Sequence, residues 1–112
     1  MEDECVFCKI VRGEIPAEKV LENGEFIVIK DANPKVKGHS LVVSKEHYES
    51  FSDMPSDLYE SFLVMAKEAI LKLGAESYNL VTNNGKDSGR LVPHVHMHVL
   101  PRTEGDGFNL NV

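Results

Sequence analysis

The sequence predicts an α+β domain in which a five-stranded antiparallel sheet is covered by one long helix. Three observations carry that reading. Leu58, Phe62, Met65, Ala66, Ala69, Ile70 and Leu73 recur at steps of three and four, as one apolar helical stripe. Short β-branched runs, Phe-Ile-Val-Ile-Lys at 26–30 and Ser-Leu-Val-Val-Ser at 40–44, read as strands. Residues 92–100 alternate strictly between two classes of side chain, the period of a strand.

In chain order, Phe7, Ile10 and Val11 have helical spacing, and Gly13 stops that short N-terminal helix. Residues 19–22 form a first strand. Asn23-Gly24 is a two-residue hairpin signal leading into the strand at 26–30. Pro34 and Gly38 punctuate a loop before the third strand at 40–44. Asp53 and Pro55 are helix-start residues and Gly74 is a C-terminal stop, so the long helix measures about 28 Å at roughly 1.5 Å per residue. Its Met and Phe residues belong to the core by the ordinary burial ranking. Residues 78–82 are a fourth strand. Asn83 to Gly89 is a polar loop with two glycines, and residues 92–100 are the fifth strand. The end of the chain carries little apolar pattern and is read as irregular.

The chain has 112 residues, enough for one compact core, so a single domain over 1–112 is expected. Eighteen acids against twelve bases give a formal charge of −6. That balance excludes a general polyanion binder and leaves room for a local anion site. No apolar run reaches the roughly 18 residues of a membrane span. The acidic opening Met1-Glu2-Asp3-Glu4 leads into no apolar stretch, so a cytoplasmic protein is expected.

Three of the five histidines fall within five residues, in Pro93-His94-Val95-His96-Met97-His98-Val99-Leu100. Strand periodicity sends Val95, Met97 and Val99 to one face and the three histidines to the other. A solvated strand face carries Thr, Lys or Glu rather than three imidazoles. A single three-histidine metal site is excluded by spacing. Residues i and i+4 on a strand lie about 13 Å apart, whereas two nitrogens on one zinc lie about 3.3 Å apart. Acid–base or nucleophilic chemistry on an anion fits better, because neutral imidazole is a nucleophile and imidazolium a donor near neutral pH. The preceding loop offers backbone N–H groups and the Asn83 amide to phosphate oxygens.

The segment His94-Val95-His96-Met97-His98-Val99-Leu100 resembles the motif of the histidine triad (HIT) superfamily. Further segments resemble that superfamily in the same order: Cys5-Val-Phe-Cys8, Gly13-Glu-Ile-Pro16, Asp31-Ala-Asn-Pro34, Gly38-His39-Ser-Leu-Val-Val and Asn83-Asn-Gly85. The chain is most similar to the Hint-like branch, including members that carry a zinc site. The resemblance implies hydrolysis of a purine nucleotide derivative at the α-phosphorus through a nucleotidyl-histidine intermediate. It assigns His96 as nucleophile, His98 and Asn83 to the phosphate, and His39 to support of the triad. It assigns Asp31 to the ribose hydroxyls and Phe7, Ile10, Ile29 and Ala32 to the base pocket. It also implies a homodimer that pairs sheets edge to edge.

Cys5 and Cys8 have the spacing of a zinc half-site, and a structural site needs two more ligands. The zinc-bearing relatives imply the set Cys5, Cys8, His47 and His94, a closed and therefore structural site. A C-x2-C redox pair and two free thiols are the competing readings; the redox motif normally follows a buried strand, and none precedes Cys5. The chain departs from the family pattern at Gly89-Arg90-Leu91, where Gln usually follows the glycine. Arg90 brings charge to that position and would favour an anionic leaving group. The same departure keeps open a nucleotide-binding regulatory module with negligible turnover, or a zinc-stabilised interaction domain.

Overall fold

A computed structural model describes residues 4–110 and 112, so the acidic segment at residues 1–3 lies outside the described residues. Helix α1 (Val6–Val11) comes first, then β1 (Lys19–Glu22), β2 (Phe26–Lys30) and β3 (Ser40–Ser44). Helix α2 (Tyr59–Leu73), β4 (Ser77–Val81) and β5 (His96–Arg102) complete the order. Among the described residues five strands form one antiparallel sheet in the order β1-β2-β3-β5-β4. The α+β class, the long helix and the short N-terminal helix are as the sequence predicts.

Asn23 closes the first hairpin with its own side chain. Its Oδ1 accepts the N–H of Glu25 at 2.9 Å and of Phe26 at 2.8 Å, the local bonding that makes Asn a turn residue. Helix α2 crosses one face of the sheet. Phe62, Met65, Ala66, Ala69 and Ile70 are buried there against Val28, Val42, Val95, Met97 and Val99. Phe26 and Phe62 stack with centroids 5.1 Å apart. The other face carries a smaller core of Phe7, Ile27, Ile29, Leu41 and Val43 beneath α1. Strands β2 and β3 are therefore covered on both faces, which is why they read as continuous apolar runs.

Three elements have boundaries that differ from the sequence reading. The α-helix begins at Tyr59, because Phe51–Asp53 and Ser56–Leu58 form two 3-10 turns instead. In the first, the Ser50 N–H donates to Asp53 Oδ2 at 3.0 Å. The fourth strand runs one residue earlier, over Ser77–Val81. Helix α1 contains Cys8 and has Cys5 as its N-cap. The fifth strand runs over His96–Arg102 rather than 92–100. At its approach the His94 N–H turns back to the Val92 carbonyl at 2.9 Å, and the Val95 N–H reaches the Tyr48 carbonyl at 2.7 Å, beyond β3. Alternation survives that bend, since Val95, Met97 and Val99 all lie in the α2 core. Gly38 sits at φ +86°, a left-handed conformation that favours glycine, and a Cβ there would stand in tight contact, 3.2 Å from the Pro101 ring.

Candidate active site and metal cluster

One row of cross-strand partners forms the floor of the site: Ile29 on β2, Leu41 on β3, His98 on β5 and Val81 on β4. His96 stands in the next row, opposite Val43. A cleft of about 1080 Å³ opens over this floor. His39, His96 and His98 line it, together with Phe7, Ile10, Ile29, Asp31, Ala32, Asn83 and Arg90. Every residue expected at the reacting centre, the ribose, the base or the leaving group is thus on one cavity wall.

The bonds of the histidines decide where their protons sit. The Lys35 N–H donates to His39 Nδ1 at 3.0 Å, so the proton of neutral His39 is on Nε2. That Nε2 lies 2.9 Å from His98 Nδ1 and 3.4 Å from Asp31 Oδ2. His98 Nδ1 is then an acceptor, and the His98 proton is on Nε2. His96 has the opposite tautomer, because its Nδ1–H donates to the His94 carbonyl at 2.7 Å. This leaves a lone pair on His96 Nε2. Burial holds His39 and His96 below the usual imidazole range. His98 is pushed down to about 4 by burial first, then by the neighbouring His96 and His39. All three are neutral near pH 7, as these tautomers require. The cleft therefore presents a nucleophilic nitrogen and an N–H donor on adjacent rings, with centroids 5.1 Å apart.

Asp31 reaches the site because the β2–β3 ladder continues past its last pair, with the Asp31 N–H on the His39 carbonyl at 3.0 Å. Its Oδ1 accepts the Asn33 N–H at 2.8 Å, so the residue also makes the local turn.

His94 leaves the cleft and turns to a second cluster. Its Nε2–H donates to the Ser44 carbonyl at 2.7 Å, which exposes a lone pair on Nδ1. That Nδ1 lies 3.1 Å from His47 Nδ1, 3.2 Å from Cys5 Sγ and 3.6 Å from Cys8 Sγ. Cys8 Sγ is 3.3 Å from His47 Nδ1, and all four ligand atoms lie within 4.8 Å of one another. A tetrahedral zinc would set nitrogens about 3.3 Å apart and nitrogen and sulfur about 3.6 Å apart. The four side chains fit such a cation in size and in donor chemistry. The C-x2-C pair is thus completed by two histidines rather than standing alone as a redox motif.

The HIT domain family profile matches residues 12–105. The chain belongs to the HIT domain family. The family match thus excludes Cys5 and Cys8, which lie before its first residue. An uncharacterized HIT-like protein of Methanocaldococcus jannaschii is 50% identical, over 92% of this chain and 82% of that one. The adenosine 5'-monophosphoramidase of Schizosaccharomyces pombe is 37% identical, over 88% of this chain and 74% of that one. Among solved structures, a Zn-bound histidine triad family protein from Mycobacterium smegmatis superposes with a TM-score of 0.84 at 34% identity. That likeness covers 94% of this HIT chain and 79% of the other.

The sequence missed one wall of the cleft. Phe108 and Leu110, in the tail read as irregular, line it beside Val81 and Leu100. Arg102 at the end of β5 holds the tail in place. Its Nε and Nη2 reach Asp106 at 2.8 and 3.0 Å, its Nη1 reaches Asn79 at 2.8 Å, and its guanidinium stands 5.1 Å over the Phe108 ring. The i, i+4 pair Arg102–Asp106 followed by Phe-x-Leu was the available signal.

Proposed function

We propose that this chain is a nucleotide hydrolase or transferase acting at the α-phosphate of a nucleoside phosphoramidate or dinucleoside polyphosphate. The observation that carries the reading is the pair of opposed tautomers, a bare Nε2 on His96 beside an Nε2–H on His98. His96 Nε2 attacks the α-phosphorus as the bond to the leaving group breaks, giving a nucleotidyl-His96 intermediate. Water then attacks the same phosphorus, the P–N bond breaks, and the nucleoside monophosphate leaves with neutral His96 restored. His98 Nε2–H and the Asn83 amide stabilise the phosphoryl oxygens, and His39 keeps His98 a donor. Positioning and charge stabilisation of this kind are most of what phosphoryl transfer needs.

Asp31 accepts the ribose hydroxyls, while Phe7, Ile10, Ile29 and Ala32 hold a purine base. Arg90 serves an anionic leaving group. Cys5, Cys8, His47 and His94 hold one zinc ion; with four protein ligands the site is closed and structural. The named activity of the fission-yeast relative and the zinc of the mycobacterial one support these assignments. The protein works as a cytoplasmic homodimer, joined at the edge strand β4, where Tyr78 and Leu80 are exposed apolar residues. Leu63, Val64 and Leu71 are further exposed apolar residues, on α2.

Incubation with adenosine 5'-phosphoramidate, followed by trapping, tests the reading. An acid-labile adenylate is expected on the wild type and absent from His96→Ala. Nucleotide that protects against unfolding without any trapped adenylate would select the non-hydrolysing binding module instead.

A further inference from the structure

His94 joins the metal cluster to the nucleophile, and it does so with its backbone as well as its ring. The His94 carbonyl accepts the Nδ1–H of His96 at 2.7 Å, the bond that leaves His96 Nε2 bare. Yet His94 lies before β5 begins, and its N–H closes only a tight turn onto Val92. The sheet ladder therefore does not fix the direction of that carbonyl. Two anchors beside it do: the Val95 N–H of the same planar peptide, held by the Tyr48 carbonyl at 2.7 Å next to His47, and the His94 ring, held on one side by the Ser44 carbonyl and on the other by Cys5, Cys8 and His47. By contrast the His96 backbone is anchored independently, through the Thr82 hydroxyl donating to its carbonyl at 2.8 Å.

A second contact runs the same way. Phe7 stands on α1 between the two cysteines. Its ring packs edge-on against His94 at 5.6 Å and His96 at 4.9 Å between centroids. Cys5 caps that helix, its Sγ accepting the Cys8 N–H at 3.4 Å. With only six residues, α1 is too short to hold its own shape. Its position, and with it the Phe7 wedge, is set jointly by Phe7 packing on Ile27, Ile29, Leu41 and Val43 and by the cysteine anchors.

We propose that the Cys5–Cys8–His47–His94 cluster is a positioning device for His96, so that metal occupancy sets the rate of nucleotidyl transfer. The cluster does this without touching the substrate: drawing the four ligands together orients the His94 carbonyl and Phe7, and these select the His96 tautomer and ring angle. This rests on His96 being the nucleophile. Supporting shells of this type change activity by about 10–100-fold.

The test compares zinc-loaded and chelator-stripped protein. Two-bond proton–nitrogen spectra of ¹⁵N-labelled histidine read the His96 tautomer, and trapping of adenylate reads kcat. The loaded protein should show His96 protonated on Nδ1 only. The stripped, still folded protein should show mixed tautomers and a kcat lower by about 10–100-fold, with a smaller change in KM. An unchanged tautomer and a kcat within twofold would overturn the proposal. Should the stripped chain unfold, a variant that retains metal decides: Phe7→Leu should lose about tenfold in kcat at saturating substrate. A wild-type kcat in Phe7→Leu, with metal content intact, overturns the proposal. Absence of any trapped adenylate on loaded wild type would sink the hydrolase reading, and the tautomer spectra would still decide the coupling.

Discussion

Replacing His39 separates a positioning role from simple packing. His39 is 3% exposed, and its Nε2–H is the donor that holds His98 Nδ1 as an acceptor at 2.9 Å. His39→Ala removes that donor and leaves a cavity beside a half-buried orphan nitrogen. The cavity and the unsatisfied group together should cost about 2–4 kcal/mol of stability. Freed of its partner, His98 can move its proton to Nδ1, and the donor facing the phosphate becomes an acceptor. Loss of a supporting hydrogen bond to a reacting group costs about 10–100-fold in turnover. His39→Gln keeps an N–H near the Nε2 position and should recover most of the rate without recovering all the stability. The assay is the single-turnover rate of His96 adenylylation at a temperature where all three proteins are folded by circular dichroism. Equal rates in wild type and folded His39→Ala, or a His39→Gln as slow as His39→Ala, would refute the tautomer argument.

The acid limb of the kcat/KM profile should lie below the ordinary histidine value near 6.5, because burial depresses His39, His96 and His98, the last to about 4. A limb at or above 6.5 would show that these rings are not held neutral. The same shifts fix the sign for stability. The unfolded chain binds these protons more readily than the folded one, so stability is full above about 6.5 and falls as pH drops toward about 4. Thermal melts across that window check it, and a Tm that rose on acidification would contradict it. Phe62→Ala, at 0% exposure and stacked on Phe26, should lose about 3–5 kcal/mol in urea titration with the m-value unchanged. Leu80→Asp on the exposed edge strand should convert the proposed dimer to monomer in sedimentation. A mutant sedimenting as the wild type does would remove β4 from the interface.

Much of this protein is legible from local pattern. The helix stripe, the Asn23 turn, the Gly74 stop and the alternation about His96 each arise from rules acting over a few residues. The structure returns them with boundaries shifted by a few residues or less at β4, β5 and α2. Where the boundaries moved, long-range bonding outweighed local preference. Tyr48 takes the Val95 N–H that a longer strand would have given to β3, and Ser50 uses Asp53 to cap a 3-10 turn rather than the long helix.

The sequence by itself determined where imidazoles and thiols are concentrated along so small a chain. Only the tertiary structure decided what each one meets. His94, His96 and His98 are indistinguishable in a strand pattern. They acquire different protonated nitrogens because Ser44, the His94 carbonyl and His39 meet them from three separate elements. The tail shows the same division. No local periodicity marks residues 103–110, and Phe108 and Leu110 reach the cleft only because Arg102 binds Asp106 and folds the chain back. Proton position and loop closure depend on partners distant in sequence, and those become neighbours only when the sheet has formed.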